Sequence, residues 1–211
     1  MTILLGIMGK ARSGKDTIAK TIIEAYGKKY DIKRYAFADA LKEEIRDREM
    51  ELCLRFGVKP DVDEDGRWRS LMQFWGTDFR RAQDPNYWIK RVSAKLDIEN
   101  PTIAIITDVR FRNEAHWILD RGGYVIKVER HNFVDLSVDS LHSSETDLDF
   151  FADWFAKIQC NDGEAEQLKK DAIIVFDMLV EELDTVGFAL EELQLAESVL
   201  VEDERKDVFI N

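Results

Sequence analysis

The first 27 residues constrain the fold most strongly, because they combine a strand, a glycine-rich turn and an amphipathic helix in direct succession. Residues 2–8 are almost all apolar and do not alternate, which is typical of a strand buried on both faces of a parallel sheet. From Lys15 onwards, apolar residues recur at three- and four-residue spacing until Gly27, which predicts a helix that ends there. These three elements in this order predict an α/β fold.

The turn from Gly9 to Lys15 has the spacing of a phosphate-binding loop (P-loop), in which a lysine directly follows the second glycine. Glycines allow backbone N–H groups to surround phosphate oxygens, and the positive end of the following helix dipole favours an anion. We therefore predict that the loop holds the phosphates of a nucleoside triphosphate. Lys15 would neutralise the group that is transferred.

Asp16 departs from the usual form of this motif, which has Ser or Thr at that position to bind Mg²⁺. A carboxylate is also a hard oxygen ligand, so Asp16 could bind Mg²⁺ directly or through water. It could instead balance the helix dipole as an acidic residue in the first turn. The sequence leaves both roles open. Thr17 is the predicted partner of an α-phosphate oxygen.

The rest of the chain alternates between predicted strands and helices. Short apolar runs predict four further strands, at 33–38, 102–107, 124–128 and 156–160. Apolar periodicity predicts helices after Asp39, at 68–75, after Asp84-Pro85, at 113–121 and at about 164–183. Asp39 and Asp84 are the predicted N-caps. The fold class is therefore α/β, with a mainly parallel five-stranded sheet flanked by helices.

One domain at about 1–188 accounts for this pattern. Residues 131–147 lie between two strands and are interpreted as a closing lid, with Arg130 at its base able to reach phosphate. His142 lies in this segment, but no oriented nucleophile accompanies it, so we reject a hydrolytic triad. Residues 189–211 hold seven acids against two bases and are predicted to be an acidic tail or helix.

Composition narrows the class of ligand. The formal net charge of −12 argues against nucleic-acid binding, which depends on clustered Lys and Arg. Bases are concentrated beside the motifs, which favours a small anionic ligand.

The apolar runs are too short for a membrane span and no signal sequence is recognised, so we expect a cytoplasmic protein without membrane partners. Cys53 and Cys160 lie far apart and are expected to be buried free thiols.

Two further groups of residues carry candidate chemistry. A strand that leads to Asp108 would bring this carboxylate, and Arg110 after it, to the sheet edge where open α/β folds bind ligands. Alternatively, Asp108 caps the next helix and the arginines are surface charges.

The segment from Gln73 to Thr77 supplies amide and hydroxyl groups that could hold a planar base near Trp75 or Trp88. Trp75 is more easily explained as a core residue, whereas both roles stay open for Trp88.

Several motifs occur together in order: Arg12-Ser13-Gly14-Lys15-Asp16-Thr17, Leu71-Met72-Gln73 with Gly76-Thr77-Asp78, Tyr87-Trp88, Asp108-Val109-Arg110 with Glu114, Val125-Ile126 through Arg130, and Asn161-Asp162-Gly163. Over about residues 2–183, this combination resembles the bacteriophage deoxynucleoside monophosphate kinases. The resemblance implies a P-loop fold of the nucleoside monophosphate kinase type. It also implies phosphoryl transfer from ATP, with Mg²⁺, to a deoxynucleoside monophosphate. Such an enzyme would supply deoxynucleotides for phage DNA synthesis in the host cytoplasm.

The resemblance also implies roles for individual residues. The donor site would comprise Lys10, Arg12, Ser13, Gly14, Lys15, Asp16 and Thr17, with Asn161 and Gly163 beside the adenine. The acceptor site, carried largely by helices at about 39–97, would comprise Leu41, Lys42, Arg69, Gln73, Gly76, Thr77, Trp88, Asp108, Arg110 and Glu114. The cations at the transferred group would be Lys15, Arg12, Arg110 and Arg130. Asp16 would be the Mg²⁺ ligand, directly or through water.

The chemistry of phosphate agrees with this interpretation. An acceptor phosphate with a second pKa of about 6 is largely ionised near neutral pH and needs no strong general base. The reaction needs in-line positioning and cations instead. The alternatives are a P-loop kinase for a ribonucleotide or a phosphorylated metabolite, and a nucleotide-binding switch protein that is not a kinase. The sequence leaves open the accepted bases, the preference for deoxyribose, and whether two copies form a homodimer.

Overall fold

The computed structural model describes residues 2–56, 72–131 and 143–185. Five strands form one parallel sheet in the order β2-β3-β1-β4-β5. The strands are β1 Ile3–Met8, β2 Ile32–Tyr35, β3 Ile103–Val109, β4 Tyr124–His131 and β5 Ala156–Asn161. The predicted fold class, an α/β fold with a five-stranded sheet flanked by helices, is confirmed.

Helices cover both faces of the sheet. They are α1 Lys15–Tyr26, α2 Phe37–Phe56, a π-helix at Phe74–Arg81, α3 Tyr87–Glu99, α4 Arg112–Leu119, the four-residue α5 Ser143–Thr146 and α6 165–185. On the face covered by α1 and α6, the core includes Leu5 and Ile7 of β1. On the face covered by α3 and α4, it includes Leu4 and Met8. Burial on both faces explains why β1 shows no alternation of apolar and polar residues.

The parallel arrangement brings the carboxyl ends of all five strands to one edge of the sheet. The P-loop follows β1 at this edge, and Asp108 lies near the end of β3. Arg130 lies near the end of β4, and Asn161 is the last residue of β5. Residues that are far apart in the sequence therefore converge where open α/β folds bind their ligands.

The predicted N-cap at Asp39 is wrong. β2 ends at Tyr35 rather than at residue 38, and α2 already begins at Phe37. The side chain of Asp108 accepts hydrogen bonds from the backbone N–H groups of Phe37 and Ala38, both at 2.8 Å. The start of α2 is thus fixed by a carboxylate from β3, which no local sequence pattern could indicate.

The chain between α2 and α3 also differs from expectation. In place of the predicted short helix at 68–75, the described part is helical from residue 72 and becomes a π-helix at Phe74–Arg81. Asp84 is not the N-cap of α3, because that helix begins only at Tyr87. Asp84 instead accepts a hydrogen bond from the backbone N–H of Asn86, at 3.0 Å, in the turn before the helix.

Some predicted features lie outside the described ranges: Arg69, most of the proposed lid with His142, and the tail at 189–211. The side chain of Cys53 is also outside the description, whereas Cys160 is a buried free cysteine. None of the helices formed by the described residues is both long enough and apolar enough to cross a membrane.

Phe176 should be essential for the packing of α6 on the sheet. It is fully buried, and its ring centroid lies 4.6 Å from that of Tyr26 on α1. Phe176→Ala should lower the free energy of unfolding by about 4 kcal/mol, because the close-packed core is left with a cavity. Ile174→Ala, at a 56% exposed position of the same helix, should change it by about 0.5 kcal/mol or less. Urea denaturation of both variants measures the difference, and equal losses would contradict this packing.

Candidate active site

The loop between β1 and α1 has the backbone shape of an anion-binding turn. The φ angles of Gly9, Arg12 and Gly14 are 153°, 60° and 99°, all in the left-handed region. A Cβ atom at Gly9 would lie 2.5 Å from the carbonyl oxygen of Val128 on β4. Glycine is required there because the loop passes directly against the backbone of the neighbouring strand.

Lys15 folds back over this loop. Its Nζ donates hydrogen bonds to the carbonyl oxygens of Gly9 and Lys10, at 2.8 and 2.6 Å, and the residue is only 7% exposed. Ser13 is buried in the same loop, and its Oγ has no hydrogen-bond partner among the described residues. Because such an atom is costly to leave unsatisfied, Ser13 gives the loop unused capacity to bind a polar ligand.

Arg130 connects the P-loop to the loop that follows β5. Its Nη1 donates to the carbonyl oxygen of Arg12 at 2.8 Å, and its Nη2 donates to the carboxylate of Asp162. Asn161 is held in turn by Glu164, which accepts hydrogen bonds from its backbone N–H and its Nδ2 at 3.0 and 2.9 Å. The predicted adenine-side segment, residues 161–163, is therefore tied to the P-loop through a guanidinium group.

Lys10, Asp16 and Thr17 lie at the ends of this loop. Lys10 is exposed, and its Nζ is 3.8 Å from the carboxylate of Asp149. Asp16 and Thr17 are in the first turn of α1, where an acidic side chain complements the helix dipole. The Asp16 side chain is 77% exposed, and its Oδ1 accepts hydrogen bonds from Nε and Nη2 of Arg34, at 3.4 and 3.3 Å.

The residues around Asp16 fit a Mg²⁺ ion only in combination with a bound phosphate. No cluster of three or more potential metal ligands occurs in the described parts of the chain. Asp16 nevertheless offers an exposed carboxylate beside the phosphate-binding loop. Mg²⁺ commonly uses one or two protein carboxylates and completes its coordination with water and substrate phosphates. The donor set is therefore suitable for such a shared site.

A cavity of about 640 Å³ lies beside the P-loop. Nine of the ten predicted acceptor residues line it: Leu41, Lys42, Gln73, Gly76, Thr77, Trp88, Asp108, Arg110 and Glu114. The tenth, Arg69, lies outside the described ranges. Arg12 lines the same cavity, so the phosphate-binding loop and the cavity share a cationic side chain. The size of the cavity is typical of small-molecule sites.

Asp108 fixes the start of α2 and also lines the cavity. Its two carboxylate oxygens accept the hydrogen bonds from Phe37 and Ala38 that start α2. Burial raises the pKa of Asp108 above its ordinary value, while the two backbone N–H groups oppose this shift. The alternative that Asp108 caps the next helix is wrong, since α4 has Phe111 at its N-cap position.

Trp88 lies both in the core and in the cavity wall, so its contact with a ligand stays a prediction. It is 2% exposed and belongs to the core below α3, but it also forms part of the cavity wall. Its indole N–H donates to the carbonyl oxygen of Gly76 at 3.0 Å and thereby fixes the π-helix against α3. Trp75 is only partly buried, and its indole N–H donates to Glu44 at 3.1 Å.

Glu114 is 1% exposed and binds groups of the protein itself. Its Oε2 accepts hydrogen bonds from the backbone N–H groups of Arg110 and Phe111, at 2.8 and 3.0 Å. Its Oε1 accepts from the guanidinium group of Arg81. Burial raises the pKa of Glu114, and the charge of Arg81 counteracts this effect. Glu114 thus orients the turn that carries Arg110 and places Arg81 in the cavity wall.

Arg81 also lines the cavity, and no motif in the sequence assigns it to the site. Its guanidinium carbon lies 4.0 Å from the ring centroid of Phe111, and its side chain is 11% exposed. Phe37, Ala38, Met72 and Phe111 also line the cavity and were not assigned. The sequence points to Arg81 only indirectly, because an acidic residue that is buried, as Glu114 is, requires a cationic or N–H partner.

Comparison with known proteins places the chain among kinases. Residues 7–122 match the family model described as phosphomevalonate kinase. A protein of Acanthamoeba polyphaga mimivirus, with the provisional name deoxynucleotide monophosphate kinase, is 31% identical over 169 residues, which are 69% of this chain and 82% of that protein. Deoxynucleoside-5′-monophosphate kinase of Escherichia phage T5 is 25% identical over 177 residues, covering 54% of this chain and 71% of the phage protein.

Solved structures give weaker likenesses. Shikimate kinase from Aquifex aeolicus superposes with a TM-score of 0.42 at 14% identity, over 84% of this chain and 98% of that one. A sugar kinase from Janibacter superposes with a TM-score of 0.42 at 18% identity, over 84% and 95% of the two chains. The strand order and the geometry of the P-loop therefore describe the fold better than these superpositions do.

Glu114→Gln should destabilise the chain by about 3 kcal/mol, because it leaves the buried charge of Arg81 without its partner. The double variant Glu114→Gln/Arg81→Met should recover part of this loss, since no unpaired charge remains. Glu24→Gln is the matched control, because Glu24 forms an exposed ion pair with Lys20 and should contribute about 0.5 kcal/mol or less. Chemical denaturation measures all three variants. A Glu114→Gln protein as stable as the wild type would contradict the described pairing.

Proposed function

This chain belongs to the deoxynucleotide monophosphate kinase family of P-loop kinases, and we propose that it transfers the terminal phosphoryl group of ATP to a deoxynucleoside 5′-monophosphate. The product would be the diphosphate, and the physiological role would be the supply of deoxynucleotides for DNA synthesis. The observation that carries the proposal is the cavity beside the P-loop, because Arg12 belongs to both. A donor and an acceptor phosphate could therefore meet at one cationic group.

The donor would bind along the P-loop. The N–H groups of residues 9–15, the N-terminus of α1 and the hydroxyl of Ser13 would hold its phosphates. Lys15 would exchange its contacts with the loop carbonyls for contacts with the transferred phosphoryl group. Thr17 would bind an α-phosphate oxygen, and residues 161–163 would lie beside the adenine. Arg130 would support this arrangement by holding the carbonyl oxygen of Arg12.

The acceptor would bind in the 640 Å³ cavity. Lys42, Arg110 and Arg12 would attract its phosphate, and Arg69 is a further candidate from the sequence. Gln73 and Thr77 would form hydrogen bonds with the base or the sugar, and Leu41 and Trp88 would pack against them. Asp108 and Glu114 would act mainly through the residues that they hold, because their oxygens already accept N–H hydrogen bonds.

The reaction requires correct positioning of the two phosphates and positive charge at the transferred group, rather than a general base. The acceptor phosphate, with a second pKa of about 6, is largely dianionic at neutral pH and can attack without a general base. Lys15, Arg12 and Arg110 would stabilise the charge on the transferred group. Asp16 would contribute to holding Mg²⁺, which would neutralise part of the charge on the donor phosphates.

The test of the proposed function is a turnover panel with ATP and Mg²⁺. All dNMPs, all NMPs and a set of phosphorylated non-nucleotides, including phosphomevalonate, would serve as acceptors in a coupled assay for ADP. We expect turnover to depend on an added dNMP. The match to the phosphomevalonate kinase model makes a phosphorylated metabolite the specific alternative, and activity confined to such an acceptor would refute the proposal.

Lys15→Ala should lower the rate of phosphoryl transfer by two to three orders of magnitude while the fold stays intact, because losing a transition-state cation costs about 3 kcal/mol or more. Lys20→Ala is the control, since Lys20 lies on the same helix with a 76% exposed side chain. Single-turnover kinetics and circular dichroism measure rate and fold. Near-normal transfer by Lys15→Ala would show that the P-loop is not the donor site.

A further inference from the structure

Glu44 lies on α2 outside the cavity wall, and its carboxylate accepts hydrogen bonds from three side chains of the π-helix and α3. The side chain is 11% exposed. Its Oε1 accepts hydrogen bonds from the indole N–H of Trp75 at 3.1 Å and from Nε and Nη2 of Arg80, the former at 2.6 Å. Its Oε2 accepts from the hydroxyl of Tyr87 at 2.7 Å. One carboxylate thus joins α2, the π-helix and α3.

Arg80 completes this group, which we call the rear clamp and define as Glu44, Trp75, Arg80 and Tyr87. The guanidinium carbon of Arg80 lies 4.8 Å from the ring centroid of Tyr87 and 5.5 Å from that of Trp75. The Arg80 side chain is 19% exposed. Two N–H groups of Arg80 converge on Oε1 of Glu44 in a charge-assisted contact, and because both side chains are largely buried, removing one partner leaves the other charge uncompensated.

The rear clamp holds a π-helix, which is a rare backbone conformation. π-Helices are rare and less favourable than α-helices, and they often occur at functional sites. Here the π-helix Phe74–Arg81 supplies Gly76, Thr77 and Arg81 to the cavity, whereas Trp75 and Arg80 reach towards Glu44. The consecutive residues Arg80 and Arg81 are therefore held from different sides, one by Glu44 and the other by Glu114.

We propose that Glu44 is a positioning residue for the acceptor, because the rear clamp holds the π-helix in the register that presents Gly76, Thr77 and Arg81 to the cavity. This inference rests on the proposed function in one respect only, the identity of the ligand in that cavity. Desolvation opposes ionisation of Glu44, but hydrogen bonds from Tyr87, Arg80 and Trp75 outweigh it and lower the pKa of Glu44 below its usual value. The clamp is consequently charged at neutral pH.

The test compares Glu44→Gln with Glu51→Gln, an exposed glutamate on the same helix that pairs with Arg48. In Glu44→Gln, amide hydrogens of residues 74–81 should exchange about tenfold faster, while those of the P-loop exchange as in the wild type. The KM for the dNMP should rise about tenfold, with the KM for ATP changed by less than about twofold. Glu51→Gln should show neither effect. Glu44→Asp, which keeps the charge, should restore part of the acceptor affinity.

Tyr87→Phe provides a second variant that removes only one hydrogen bond from the clamp, should Glu44→Gln not fold. It should raise the KM for the dNMP by about threefold and leave the KM for ATP unchanged. Unchanged exchange at 74–81 in Glu44→Gln, or equal rises in both KM values, would overturn the inference. If the wild type shows no dNMP-dependent turnover, the proposed function fails, while the exchange at 74–81 still decides whether Glu44 holds the π-helix.

Discussion

Burial of the sheet on both faces determines where this chain can place polar chemistry. β1 contributes Leu5 and Ile7 to one core and Leu4 and Met8 to the other, so the strand itself offers no position for a functional side chain. The carboxyl edge is different, because strands end there and their connections meet solvent. The parallel order of all five strands brings the P-loop, Asp108, Arg130 and Asn161 to that edge. The location of the site is thus a consequence of hydrophobic burial.

Carboxylates in and around the cavity hold neighbouring groups of the protein in place. Asp108 fixes the start of α2, Glu114 holds Arg81, and Arg34 pairs with both Asp16 and Asp39. For an enzyme that binds two anionic ligands, an unpaired carboxylate in the cavity would repel the acceptor. Pairing each acid with N–H groups or guanidinium groups removes much of this repulsion and leaves a mainly cationic, well-oriented surface.

Features with a local cause could be predicted from the sequence. The strand, loop and helix at the N-terminus follow from apolar periodicity and glycine spacing. The nine residues that share one cavity follow instead from the resemblance to a kinase family, because no local pattern brings them together. Their roles toward ligands stay predictions. The N-cap at Asp39 failed because the true partner, Asp108, is about 70 residues away in the chain. The π-helix escaped prediction for a similar reason, since the residues that hold it come from α2, α3 and α4.

The hydrogen bonds from Lys15 to the carbonyl oxygens of Gly9 and Lys10 have a consequence for selectivity. An anion that enters the loop competes with these carbonyl oxygens for the ammonium group of Lys15. A single phosphate group in such a turn engages the backbone N–H groups, whereas the lysine of a P-loop reaches the β- and γ-phosphates of a longer chain. We therefore expect the loop to prefer polyphosphate chains to free phosphate, because only the longer anion would reach the ammonium group of Lys15.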